Sequence, residues 1–462
     1  MSLLGRPMPR LHSGRRPFGA GVPVWTVAAQ ASVVLFFFHG FGITVVEPLL
    51  NPKPGFVINM ILLASIVLFA PRGQFRKVVL SFTTVLFFTW WGAAIAWTPL
   101  VGEWINTTIT QLSWVLLMIV VASVLPLDTL IRTILGAIYA MVAYSFLYTA
   151  MHPGDSTVLI NYATGELVNV GWRGAFEHKN VLASFMVLGM LFVLGYEERR
   201  GVRRTAMFAM VGLVLLSRSG TGAGGMVSAL VAFWFAKRVS RVRGTKASVT
   251  IVLSLLISIV AITGVLTFLP AIVQLYGKDL TFSGRTDIWM ASLQAIRQEP
   301  WTGYSFGGIW LDPTKEPTFG IVRRLGFIVF HAHNGAIELM LLLGVVGLAL
   351  YLLMFGAAVR DGWRLRYVDA RLSQVVIAFA VLVVVSSVSE VLVLGPWLSL
   401  LVLLRTMSMR TLREAANAAR PATHVARRGG AVRQTSRPAA AEPEGHPDTP
   451  VVRELTRPGR RP

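Results

Sequence analysis

The chain has 462 residues, of which 54% are hydrophobic and only 14% charged, with a formal net charge of +21 and no cysteine. Soluble domains carry about a quarter charged residues, so this composition excludes a soluble globular enzyme and a disordered chain. Phosphate contacts would account for the positive charge of a DNA-binding domain but not for the apolar excess, and the lack of cysteine excludes a disulfide framework, a thiolate metal site and a Cys nucleophile.

The basic start Arg6, Arg10, Arg15, Arg16 precedes an apolar run too long for the core of a cleavable signal peptide. About 20 apolar residues cross a bilayer, and twelve segments qualify as spans, in chain order 24–46, 55–70, 78–97, 108–126, 130–150, 180–195, 205–217, 222–236, 249–270, 335–358, 372–388 and 390–406. The second, sixth, seventh and eighth are short, and 205–236 reads either as two short spans or as one re-entrant hairpin. Placing both ends in the cytoplasm puts most of the 43 basic residues inside, as the positive-inside rule requires. The predicted architecture is all-α and polytopic, with a cytoplasmic basic N-terminus (1–23), a transmembrane domain (24–406) and a disordered basic cytoplasmic tail (407–462).

Two outer loops are long, about 151–179 and 271–334. The second exceeds ordinary connection lengths and carries Trp289, Trp301, Tyr304, Phe306, Trp310 and Phe319. Within it, Ile288, Trp289, Ser292/Leu293 and Ile296 recur at helical spacing over Arg285–Arg297, and Pro300 ends the pattern. This predicts a helix lying on the membrane surface or against the bundle.

Four short constellations fall at the outer face. They are Trp172-Arg173 through Glu177-His178-Lys179-Asn180, Ser217-Arg218-Ser219-Gly220-Thr221-Gly222, Ser283-Gly284-Arg285-Thr286, and His331-Ala332-His333-Asn334 followed by Glu338, Gly344 and Gly347. The Gly-rich run at 220–225 lacks the Lys and strand context of a nucleotide loop, so close helix packing is its simpler reading. His331 and His333 with His178 make a weak metal signal, and no metal or other cofactor is expected.

In this order, these constellations resemble the O-antigen ligase and O-antigen polymerase superfamily of bacterial membrane glycosyltransferases, including exopolysaccharide polymerases of the ExoQ type. The residues that carry the resemblance are Arg173 with His178-Lys179-Asn180, Ser217-Arg218-Ser219, Gly284-Arg285-Thr286 with Ile288-Trp289, Pro300 with Gly303-Tyr304, and His333-Asn334 with Glu338, Gly344 and Gly347. The resemblance implies a GT-C-like helical fold of the bacterial cytoplasmic membrane with its active site on the outer face. It implies a polyprenyl-diphosphate-linked oligosaccharide donor, a glycan or lipid-linked acceptor, and transfer without a metal and with inversion. Membrane lipids, a flippase or a chain-length regulator are the partners considered; nucleic acid is not.

The chemistry assigns roles to these residue types. Charge builds on the leaving diphosphate, and an Arg fork binds phosphate oxygens bidentately while staying charged. Arg285 and Arg218 are the expected catalytic cations and His333 the expected base. Arg173, His178, Lys179, His331, Glu338 and Tyr304 are expected to bind substrate. Polymerisation of surface polysaccharide repeat units is the favoured activity. An O-antigen-type ligase, a transferase using a polyprenyl monophosphate sugar and a polytopic transporter or flippase are the alternatives.

Overall fold

The computed structural model describes residues 22–41, 52–75, 78–160, 167–169, 171–242 and 285–419. The expected span 249–270, the Ser283-Gly284 start of the third constellation and the tail beyond residue 419 lie outside them. The chain divides after Ala415, and the helical bundle belongs to the unit ending there.

The described fold is helical. In chain order the helices are α1 (Val24–Gly40), α2 (Pro52–Phe69), the single turn α3 (Arg72–Phe75), α4 (Phe82–Ala93), α5 (Val101–Val124), α6 (Leu127–Met151), α7 (Lys179–Tyr196), α8 (Arg200–Leu216), α9 (Gly220–Val239), α10 (Arg285–Gln298), α11 (Thr318–Leu325), α12 (Gly335–Arg364), α13 (Ala370–Ser386) and α14 (Gly395–Ala418). A small antiparallel pair, β1 (Val158–Ile160) and β2 (Leu167–Asn169), stands between α6 and α7, with Leu159 opposite Val168. Eleven of the twelve expected apolar segments coincide with a helix; among the described residues four helices, Val101–Val124, Leu127–Met151, Lys179–Tyr196 and the run Gly335–Tyr367, are long and apolar enough to cross a membrane. Val24–Gly40, Phe56–Phe69, Phe82–Ala96 and Ala370–Ser386 are shorter apolar helices.

The centre of the bundle is α7. Its residues Leu182 to Val193 are buried almost without interruption, because α6, α8, α9 and α13 surround it. An aromatic cluster ties it to its neighbours: the Phe41 ring lies 4.9 Å from Phe185 and 5.2 Å from Trp397, and Phe36 lies 5.3 Å from Trp114. Such edge-to-face pairs are each worth about 0.5–1.5 kcal/mol beyond area burial.

Segment 205–236 forms two separate helices, α8 and α9, joined by Ser217-Arg218-Ser219. The Gly-rich run serves packing. A Cβ on Gly222 would stand 2.2 Å from Ala183 Cβ, and one on Gly225 would stand 2.8 Å from Ser386 Oγ. The two glycines let α9 close on α7 and α13.

Helix α12 breaks at Gly344 (φ 67°, ψ −175°). The freed backbone groups find partners, as buried backbone must. Tyr304 N–H donates to Leu341 O (2.7 Å), Ser305 N–H to Leu342 O (2.9 Å) and Trp90 Nε1–H to Leu343 O (2.9 Å), while Val345 N–H donates to Pro300 O (2.8 Å). A Cβ at Gly344 would lie 2.0 Å from Trp301 O, so both space and dihedral demand glycine. The loop before α12 is thereby pinned into the bundle, with Phe306 stacked on Trp91 at 4.1 Å.

The expected loop helix exists as α10, but its buried face is Ile288, Ala291, Ser292, Ala295 and Ile296. Leu293, read as part of the apolar stripe, is exposed. Small Ala291 and Ala295 take its place because α10 packs against α12, where short side chains permit close approach.

Candidate functional site

Five segments converge at one end of the bundle: 171–180, 217–222, the start of α10, 331–335 and 386–390. Four contain the constellations found in sequence; the fifth, Ser386-Ser387-Val388-Ser389-Glu390, was missed. Backbone bonds lock them together. Trp172 N–H donates to Leu216 O (3.0 Å), Arg173 N–H to Ser156 O (2.8 Å) and Gly335 N–H to Ser387 O (2.8 Å).

Glu390 is the hub. Its Oε1 accepts from Arg285 Nη2 at 2.7 Å and from Asn180 Nδ2, and its Oε2 lies 3.7 Å from His333 Nδ1. Arg285 Nη1 also donates to Ser389 O. Asn180 Oδ1 in turn accepts from Ser219 Oγ at 2.6 Å. Ser219 caps α9 by accepting from Gly222 N–H at 3.0 Å, and Thr221 Oγ1 lies 2.7 Å from Ser389 Oγ. Burial pushes the Glu390 carboxyl up, but the contacts with His333 and Arg285 outweigh it and hold the carboxyl down at about 2. It is an anion at any working pH.

Three histidines stand around this anion. His178 is the N-cap of α7, its Nδ1 accepting from Asn180 N–H at 3.2 Å. His331 Nδ1 accepts from His333 N–H at 3.2 Å, and the two rings lie 3.9 Å apart. Burial pushes both His178 and His331 down to about 4, and Glu390 offsets only part of that; they are neutral at pH 7. His333 Nδ1 is buried without a hydrogen-bond partner, 3.7 Å being too long for one. Among the described residues, no group of three or more His, Asp or Glu is arranged to hold a metal ion.

The backbone carries strain at the same place. Of the described non-glycine residues, Arg218, Ser305, Trp310 and His333 have positive φ, with Arg218 and His333 both at 50°. Left-handed backbone costs a side-chain-bearing residue about 1–3 kcal/mol and persists where surroundings enforce it, often at functional sites. For His333 the enforcement is visible on both flanks. Asn334 caps α12 through Ala336 N–H (3.0 Å) and Ile337 N–H (3.1 Å) and donates to Val388 O (3.1 Å). Glu338 accepts from Ala332 N–H at 2.7 Å and from Trp310 Nε1–H at 3.0 Å.

The expected site residues thus fall into three groups. Arg285, His333, His331 and His178 come together on Glu390, with Lys179 beside His178 and its charge lowering the His178 pKa. Arg218 is exposed at the α8–α9 turn, next to Ser219, and its guanidinium has no partner among the described residues. Arg173, Glu338 and Tyr304 hold the scaffold. Arg173 donates to Asp155 O (2.6 Å) and Phe176 O (2.9 Å), Glu338 is 4% exposed beneath the His331–Asn334 segment, and the Tyr304 hydroxyl donates to Ala295 O at 2.8 Å.

Glu390 had a signal in the sequence. It is the sole ionisable side chain between Arg371 and Arg405, and an ionisable residue in so apolar a stretch marks a site by default.

Residues 205–352 match the family model described as O-antigen ligase. The exopolysaccharide production protein ExoQ of Rhizobium meliloti (strain 1021) is similar to this chain, 24% identical over 297 residues, which cover 60% of this chain and 65% of that protein. The chain therefore spans less than two thirds of this relative's length. The matched family segment contains Arg218, Arg285, His331, His333 and Glu338, whereas His178 and Glu390 lie outside it. Helical architecture, apolar helices and these matches agree with the resemblance carried by the motifs: the chain is similar to the O-antigen ligase family over residues 205–352 and to an exopolysaccharide production protein over 60% of its length.

Proposed function

We propose that this protein transfers a glycan from a polyprenyl diphosphate to an acceptor hydroxyl on the outer face of the bacterial cytoplasmic membrane, polymerising repeat units of a surface polysaccharide. The observation that carries this reading is the meeting of Arg285 and His333 on one buried carboxylate, Glu390. In the reaction the acceptor oxygen attacks the anomeric carbon and the bond to the diphosphate oxygen breaks. His333 takes the hydroxyl proton. Arg285 and the exposed Arg218 receive the charge that builds on the diphosphate, in a site partly closed to water where a preorganised cation counts most. Glu390 touches neither donor nor acceptor in this scheme; it holds Arg285 and faces the Nδ1 side of His333, leaving Nε2 for the acceptor, the orientation logic of a carboxylate behind a histidine base.

Placement at the outer face rests on charge. The opposite end of the bundle bears Arg199, Arg200, Arg203 and Arg204, then Lys237 and Arg238, then Arg360, Arg364, Arg366 and Arg371, the side that the positive-inside rule assigns to the cytoplasm. Outside the cytoplasm nucleotide sugars are absent, so the energy for transfer arrives on a lipid.

A ligase moving finished glycan to another acceptor is the second reading, favoured by the O-antigen ligase match over 205–352. Profiling lipid-linked and surface glycan in a strain lacking the gene separates the two. A single repeat unit accumulating on lipid means polymerase. Long chains retained on the carrier mean ligase. Normal profiles sink both.

A further inference from the structure

The end of the bundle opposite Glu390 holds a second charge cluster that the transfer chemistry does not use. A cavity of about 530 Å³ opens there between α4, α12 and α14, its polar wall formed by Ser81, Thr83, Arg360, Asp361, Arg405 and Arg413. Asp361 and Arg405 are almost fully enclosed, with side chains 5% and 6% exposed. Asp361 Oδ1 accepts from Arg360 Nε (3.2 Å) and Nη2 (3.1 Å), and Oδ2 lies 3.5 Å from Arg405 Nε. One carboxylate is thus divided between two guanidinium groups. Arg405 Nη1 turns to neutral oxygens, Thr83 Oγ1 at 2.6 Å and Thr84 Oγ1 at 3.3 Å. Arg413 stands exposed on the rim with no partner among the described residues.

Three cations thus face one anion. A guanidinium withdrawn from water is costly unless its charge is matched, and the wall is short of negative charge. The flank is apolar. Leu80 and Phe82 project into the open beside the cavity at 60% and 76% exposure, and Met409 and Leu412 complete the lining. We propose that this cavity binds the phosphate of an anionic phospholipid, with Arg360, Arg405 and Arg413 around the headgroup and the acyl chains along Leu80 and Phe82. Inorganic phosphate shares the headgroup chemistry but has no use for the apolar flank. Basic pockets between membrane helices at the cytoplasmic leaflet are suited to such headgroups. The proposal stands independently of the transfer reaction.

The test is thermal unfolding of the purified full-length protein in uncharged detergent, with phosphatidylglycerol, phosphatidylcholine or inorganic phosphate added. Arg405→Gln would strand Asp361 in the interior, so the variant of choice is the rim pair Arg360→Gln with Arg413→Gln, whose side chains are more exposed. The expected result is a Tm rise with phosphatidylglycerol, little or none with phosphatidylcholine or phosphate, and loss of the rise in the double variant, measured from that variant's own lipid-free Tm. An equal rise with phosphatidylcholine, or a double variant that responds like the wild type, overturns the site. A full rise with inorganic phosphate alone keeps the anion site and overturns the lipid as its occupant.

Discussion

The two ends of the bundle solve the same electrostatic problem with different parts. Each buries one carboxylate against arginine: Glu390 with Arg285 at 2.7 Å, Asp361 with Arg360 at 3.1 Å and Arg405 at 3.5 Å. At the Asp361 end the remaining lining is serine and threonine hydroxyls, apolar side chains and the guanidinium of Arg413, none of which takes or gives a proton near neutral pH. At the Glu390 end three histidines surround the pair, the backbone of His333 is forced to φ 50°, and Arg218 stands exposed at the neighbouring turn with no partner among the described residues. A buried ion pair alone is weak evidence of anything beyond architecture. Titratable bases and strained backbone in one place are what separate a brace from the reaction centre proposed above.

That contrast orders the expected effects. The largest falls on the base. His333→Ala abolishes polymer at unchanged protein level, a loss on the order of 10²–10⁴ in rate, whereas Arg371→Lys at the other end, in an exposed pair with Glu198, leaves polymer length and yield close to wild type. Glycan gels of complemented deletion strains read both. Next comes Arg285. Arg285→Ala loses about 10²–10³ in rate, and Arg285→Lys recovers only part of it, because a point charge cannot reproduce the fork that serves Ser389 O and Glu390 together. Glu390→Gln should cost less than His333→Ala, since the amide still accepts from Asn180 or Arg285 but no longer offers an anion to His333. A Glu390→Gln strain with wild-type polymer would remove Glu390 from the account.

Stability carries the smaller predictions. His178 and His331 have folded-state pKa values of about 4 because burial disfavours the charged ring, against about 6.5 in an unfolded chain. Between pH 6.5 and 4 the unfolded state therefore binds more protons, so stability falls as pH is lowered through that window. The loss is on the order of 3 kcal/mol per histidine at its lower edge. Thermal melts over pH 4–7 should show this slope, and His178→Gln with His331→Gln should flatten it. Glu390 acts with the opposite charge and a lower window. Its folded pKa is depressed to about 2, so its contribution is present above the unfolded carboxylate value of about 4.3 and fades only as pH falls toward 2. Away from both ends, Gly344→Ala should destabilise the protein by at least about 2 kcal/mol, since the added methyl meets Trp301 O in a dihedral region reserved for glycine; Gly356→Ala, with nothing within reach of its Cβ, should be neutral or slightly stabilising.

Much of the fold was legible because a membrane helix announces itself by length and apolarity. What escaped depended on contacts distant in sequence. Helix α5 begins at Val101, ahead of the expected 108, because Glu103, Asn106 and Thr107 extend its polar first turns, and an acid there suits a helix N-terminus. The Gly344 break was hidden inside an unbroken apolar run. It exists only because residues 300–305 supply replacement partners for its carbonyls. At the site, Arg285, His331 and His333 were legible as residue types out of place on an apolar chain, and their convergence was not. Glu390 was absorbed into the expected span 390–406, whereas α14 starts at Gly395 and Glu390 stands in the non-helical link before it. Arg173, Glu338 and Tyr304 carry the right chemistry in sequence, but their hydrogen bonds go to the protein's own backbone and to the side chains of Trp310 and Gln298.

The most direct test of the central claim is transfer by the purified protein, given a polyprenyl-diphosphate-linked repeat unit as both donor and acceptor, wild type beside His333→Ala. The account predicts longer lipid-linked glycan and released polyprenyl diphosphate with the wild type, and neither with the variant although it remains folded and binds donor. Equal chain growth in both proteins would contradict it, and would move the reaction away from the Glu390 end of the bundle.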